Sequence, residues 1–94
     1  MSVLGRIRER IRARDYYLSS HAEEEMVEDG FEREDVEHAI LRGHLDKRMT
    51  HDPRGTRYRI IGPTVDGRLL HVLCRFRSVG PLVIITAYAQ EESP

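Results

Sequence analysis

His21 stands directly behind Ser19 and Ser20 and opens the acidic run Ala22-Glu23-Glu24-Glu25, while His71 lies inside Leu69-Leu70-His71-Val72-Leu73. Arg57 and Arg59 flank Tyr58, and Thr86 and Tyr88 sit in the last apolar stretch. Imidazole and phenol suit proton transfer, and a planar guanidinium suits a phosphate because it donates two hydrogen bonds to one anion. The five histidines also raise the question of a metal, but the chain has no H-x-x-x-H pair, no H-E-x-x-H and no second cysteine. His21 and Glu25 alone show helical ligand spacing, which so acidic a run meets by chance. Neither a metal nor a cofactor is expected.

Each candidate carries a plainer reading beside the chemical one. In the first turn of a helix, His21 meets the positive end of the dipole, which disfavours the protonated imidazole and leaves a neutral base; otherwise it is a surface residue beside a cap. His71 is either a site residue or a half-buried histidine satisfied by a neighbour. Arg57 and Arg59 share one strand face and Arg75 shares a face with His71, so the sheet presents a basic surface or merely a solvated one. Tyr58 and Tyr88 stack on bases or pack with a wet hydroxyl. Thr86 is a ligand-directed hydroxyl or an ordinary strand former.

The elements that must hold these residues are legible from period and punctuation. Val3, Leu4, Ile7 and Ile11 line one side of a basic amphipathic helix within residues 2–14. Ser20 and Glu23 form an S-x-x-E capping box, so a second helix starts at His21 or Ala22 and stops near Gly30. Phe31 and Val36 staple a third helix over about 33–42, ended by Gly43. Strands follow at 44–50, 56–61, 68–77 and 82–89. In the third of these Leu70, Val72, Cys74 and Phe76 alternate with Leu69, His71, Leu73 and Arg75. The expected fold is α+β: about three N-terminal helices packed on a four-stranded, mainly antiparallel sheet, with a frayed tail at 90–94.

A chain of 94 residues with 39% hydrophobic and 33% charged side chains fits a single domain, 1–94, with a modest core. The longest apolar run, Pro81 to Ala89, is far too short to cross a bilayer. The arginine-rich opening reads as packed helix rather than a targeting segment, because it shows no cleavage region. Cys74 is the sole cysteine, so no internal disulfide forms and the cytoplasm is the expected location.

The net charge of −1 conceals a strong segregation. Residues 1–14 hold five arginines and one glutamate (+4), residues 22–37 nine carboxylates and one arginine (−8), and residues 38–77 nine basic and three acidic side chains (+6).

"SSHAEEEM" at 19–26, "FEREDVEHAILRG" at 31–43, "RYRIIG" at 57–62, "GRLLHVLCRF" at 67–76 and "VIITAY" at 83–88, in this order, resemble the family domain of unknown function 4258 over about residues 16–89. That family is similar in layout to the RelE and barnase-like metal-independent ribonucleases, many of them toxins of toxin-antitoxin pairs. The resemblance points to His21, Arg57, His71, Thr86 and Tyr88 as site residues, and the basic sheet surface adds Arg59 and Arg75 as expected RNA contacts. It implies attack of a ribose 2′-hydroxyl on the adjacent phosphate: one imidazole takes the proton, the other imidazole or the Tyr88 phenol protonates the leaving oxygen, with His21 as base and His71 as acid or the reverse, and Arg57 stabilises the charge on phosphorus. RNA and a cognate antitoxin are the partners so implied.

The opposing reading is a noncatalytic binding module on the same fold. Its charge segregation would serve a protein partner or a homodimer in which the arginine-rich helix of one molecule meets the acidic helix of another. The −8 segment repels RNA, so catalysis requires the basic sheet surface to lie apart from it.

Overall fold

The computed structural model describes residues 2–90. In chain order the elements are α1 (Val3–Arg12), β1 (Tyr16–Leu18), α2 (Ser20–Asp29), α3 (Arg33–Arg42), β2 (His44–Met49), β3 (Arg57–Pro63), β4 (Leu69–Arg75) and β5 (Leu82–Ala89). The expected α+β arrangement is present, with one correction: the sheet has five strands, in the order β1-β5-β4-β3-β2, and is mixed, because β1 runs parallel to β5. Three residues between two helices are too few to display a period of two. The expected tail at 90–94 lies, from residue 91 on, outside the described residues.

The helices end where short-range chemistry places their caps. Ser2 accepts from the Gly5 amide at the start of α1, whose Ile7 and Ile11 are buried. The cap of α2 is Ser19 rather than Ser20: its hydroxyl accepts from the Ala22 amide, and Gly30 closes the helix at φ 73°. The reciprocal capping box belongs instead to α3, between Glu32 and Asp35. Either serine of the pair can serve as a cap. Ser19 wins because its hydroxyl also donates to the Ile85 carbonyl at 2.8 Å, which ties the helix start to β5.

Helices and sheet meet in one hydrophobic cluster. Ile7, Ile11, Ala22, Met26, Val36, Ala39 and Ile40 pack against Ile60, Leu70, Val72, Cys74, Ile84 and Ala87. Where α3 meets β3, Gly43 and Gly62 let the backbones touch; a Cβ on Gly62 would run into the Ala39 carbonyl and the Gly43 Cα.

The arginines of α1 are largely used within the molecule. Arg8 donates to the carbonyls of Ile40 (3.0 Å) and Gly43 (2.8 Å), satisfying the end of α3. The guanidinium groups of Arg6 and Arg10 lie 4.6 and 5.5 Å from the centre of the Phe76 ring. A strip of arginine that looks in sequence like a docking surface is thus partly spent on internal packing.

α2 finishes the sheet on the β1 side. β1 pairs with residues 82–84 of β5, and beyond it α2 side chains take over the exposed edge. The Ala87 amide donates to Glu25 Oε1 (3.1 Å) and the Ala89 amide to Asp29 Oδ2 (3.0 Å). An edge that would otherwise offer free backbone groups to another chain is thereby closed.

Candidate active site

Two irregularities in the sheet decide which side chains meet on its outer face, away from the helices. In β5, Leu82 and Ile84 point into the core, so strict alternation would send Thr86 and Tyr88 there too. The register slips instead: Cys74 opposes Ile84 while Leu73 opposes Thr86, leaving Ile85 as the extra residue of a bulge. Ala87 turns inward and is fully buried, and Thr86 and Tyr88 emerge outward beside Leu73 and His71. In β2 a matching slip between Leu45 and Lys47 brings Lys47 opposite Arg59.

The rows of the outer face follow from these registers. Ile61, His71 and Tyr88 form one row, Lys47, Arg59, Leu73 and Thr86 the next, and Met49, Arg57, Arg75 and Val83 the third. His71 and Tyr88 stand with ring centroids 5.0 Å apart and planes tilted by 34°. They line a cleft of about 580 Å³ whose other wall is Glu25, Glu28 and Asp29 of α2.

Both ring nitrogens of His71 are shielded from solvent and find no hydrogen-bond partner among the described residues. Leaving such a group unpaired costs roughly 1–3 kcal/mol, which a ligand group or a re-aimed neighbour recovers. His71 is therefore not the satisfied core histidine of the plainer reading.

His21 is exposed at the rim, its side chain 65% accessible, with Nε2 3.4 Å from Glu25 Oε1. It does not line the cleft but is joined to it through Glu25, which in turn accepts from Ala87 on β5. The acidic helix behind His21 thus has a structural part in the sheet, since Glu25 and Asp29 accept from β5 amides. Nothing in the sequence separates Glu25 from its acidic neighbours except its position four residues after His21.

The arginines divide between two places. Arg59 Nε donates to Asp46 Oδ2 at 2.7 Å, and Asp46 first, then the Tyr88 phenol, hold the Arg59 pKa above its ordinary value. Arg59 is thus the arginine beside the His71–Tyr88 pair. Arg57 lies four residues further along the strands, ~13 Å at about 3.3 Å per residue, directly opposite Arg75. There Asp52 stands 3.5 Å from Arg57 Nε and 3.7 Å from Arg75 Nη1. The backbone amide of Arg54, followed by the Arg54 and Arg57 charges, keeps the Asp52 carboxyl below its usual range. Thr86 sits in the row between the two groups, opposite Leu73, and Tyr58 is on the other face against Phe76.

The structure therefore gathers His71, Tyr88 and Arg59, links His21 to them at the rim, and keeps Arg57 and Arg75 apart. Among the described residues no group of three or more His, Cys, Asp or Glu side chains is arranged to hold a metal ion, and no helix is long and apolar enough to cross a membrane. No curated protein and no solved structure matches the chain. A family model described as "Domain of unknown function (DUF4258)" matches residues 18–89, the stretch that runs from the end of β1 through α2 and the cleft to the end of β5, and the chain belongs to that family.

Proposed function

We propose that the chain is a metal-independent ribonuclease of toxin type that cleaves RNA through the ribose 2′-hydroxyl, leaving a 2′,3′-cyclic phosphate and a 5′-hydroxyl. The observation that carries this reading is His71, whose two ring nitrogens lack partners among the described residues and which stands beside Tyr88 in an open-mouthed cleft. The reaction class is taken from the family's resemblance in layout to RelE and barnase-like ribonucleases, which is an expectation carried over from the sequence.

In this reading His71, with the Tyr88 phenol, protonates the leaving 5′-oxygen. His21, oriented by Glu25, takes the proton from the 2′-hydroxyl, and Arg59 donates to the phosphate oxygens as charge builds on phosphorus. Because Tyr88 packs on the imidazole, its side chain must swing for the phosphate to reach His71. The α2 carboxylates confine the phosphate to the sheet side of the cleft by repulsion. A protein antitoxin would neutralise such an enzyme by covering this face.

A specific observation favours the second reading, a noncatalytic binding module. Arg59 is paired with Asp46, and Arg57 and Arg75 with Asp52, which reduces the charge left for a polyanion. The two readings separate on incubation of purified protein with mixed RNA in EDTA, with His71→Ala and Tyr88→Phe beside the wild type. Cyclic phosphate ends formed by wild type and lost in folded His71→Ala support the enzyme. No cleavage of several RNAs by folded protein, with and without ribosomes, leaves the binding module.

A further inference from the structure

We infer that the outer sheet face holds a second phosphate site, built on Arg57 and Lys47, which grips an RNA strand at a phosphate distant from the one cleaved at His71. The identity of the strand rests on the ribonuclease reading; the anion site rests on charge and geometry. Asp52 is approached by three guanidinium groups, from Arg54 (3.5 Å), Arg57 (3.5 Å) and Arg75 (3.7 Å). One carboxylate balances one of them, so the cluster keeps a surplus of positive charge. Lys47 adds to it from the neighbouring row and makes no ion pair among the described residues. A cavity of about 420 Å³ opens there, lined by Lys47, His51, Asp52 and Arg57 among others. Arg57 Nε is shielded from solvent and lies 3.5 Å from Asp52, yet completes no hydrogen bond among the described residues, so the site holds a donor with capacity to spare.

Asp52 offsets part of the repulsion between the two arginines that face each other across β3 and β4, and Lys47, which makes no ion pair among the described residues, adds to what is left. An anion held among them relieves that repulsion. The site lies ~13 Å along the strands from His71, beyond the reach of a single phosphate group. The two sites must therefore take different phosphates of one strand, which crosses the sheet from Tyr88 on β5 towards Lys47 on β2. The substrate is consequently a single-stranded RNA longer than a dinucleotide.

The test is fluorescence anisotropy with an uncleavable 2′-O-methyl dinucleotide and an octanucleotide of the same type, at several salt concentrations. Wild-type protein should bind the octanucleotide at least about tenfold more tightly, and Lys47→Gln and Arg57→Gln should each weaken octanucleotide binding severalfold and lower its salt slope by about 0.7. Lys47→Gln removes no internal partner, so its effect does not depend on refolding around Asp52. Equal affinity for the two lengths, or an unchanged octanucleotide affinity and salt slope in Lys47→Gln, overturns the site. If the length and mutant pattern holds while RNA cleavage is absent, the anion site stands and the ribonuclease reading falls.

Discussion

His71 on β4 and Tyr88 on β5 are cross-strand neighbours, ring centroids 5.0 Å apart, only because Ile85 is bulged out of register just before them. The pair joins the element carrying the unpartnered imidazole to the strand that α2 holds by its edge. Proton transfer at such a site contributes on the order of 10²- to 10⁴-fold. His71→Ala should lower the rate of cyclic phosphate formation by that order with the fold intact by circular dichroism. A folded variant that cleaves at the wild-type rate removes His71 from the mechanism.

Glu25 and Asp29 hold the β5 edge through the Ala87 and Ala89 amides. Glu25→Ala or Asp29→Ala should each destabilise the protein by about 1–3 kcal/mol, since a shielded donor loses its acceptor. Hydrogen exchange gives a local check: the amide at 87 should exchange faster in the first variant and that at 89 in the second. Unaltered protection at both would mean that the helix closes the edge without these bonds.

Gly62 is required by the contact between β3 and α3, where an added Cβ meets the Ala39 carbonyl. Gly62→Ala forces two backbones apart and should cost at least about 1–3 kcal/mol, read as a lower denaturant midpoint. Gly67, with open space around it but φ at 90°, should respond to alanine through backbone strain alone.

Asp52 is held below the ordinary carboxyl range in the fold, chiefly by the Arg54 amide and then by the Arg54 and Arg57 charges. A depressed folded pKa contributes stability that is present above the unfolded value near 3.8 and is lost as pH falls through the lower folded value. Wild type and Asp52→Asn should therefore differ in stability at pH 6 and converge on acidification below about pH 4. A constant difference down to the acid transition would assign the effect of the substitution to packing.

Burial pushes the Cys74 thiol up to about 12, so almost no thiolate exists at neutral pH. A thiol reagent at pH 8 should label the native protein slowly and the denatured protein at once. Rapid labelling of native protein would show that β4 opens to solvent.

Local patterns were enough for much of this fold. The staple and glycine stop delimit α3 at 33–42, and the alternation around Leu70, Val72 and Cys74 marks the buried side of β4, because those signals depend on residues a few positions apart. The segregation of charge and the imidazole, phenol and guanidinium candidates were also legible, since residue type alone sets that chemistry. Lateral register lay beyond reach. β1 exists because Tyr16–Leu18 finds β5, a partner more than 60 residues away, and Ser19 prevails over Ser20 as cap through a bond to the Ile85 carbonyl. The bulge at Ile85 turns Thr86 and Tyr88 outward, and the strand registers bring Arg59 rather than Arg57 near Tyr88. Glu25 joins the cleft because α2 lies along the β5 edge. Sequence determines which groups are available and which way each short segment alternates; only the pairing of distant strands, which minimises unpaired backbone and exposed core together, decides which of those groups meet.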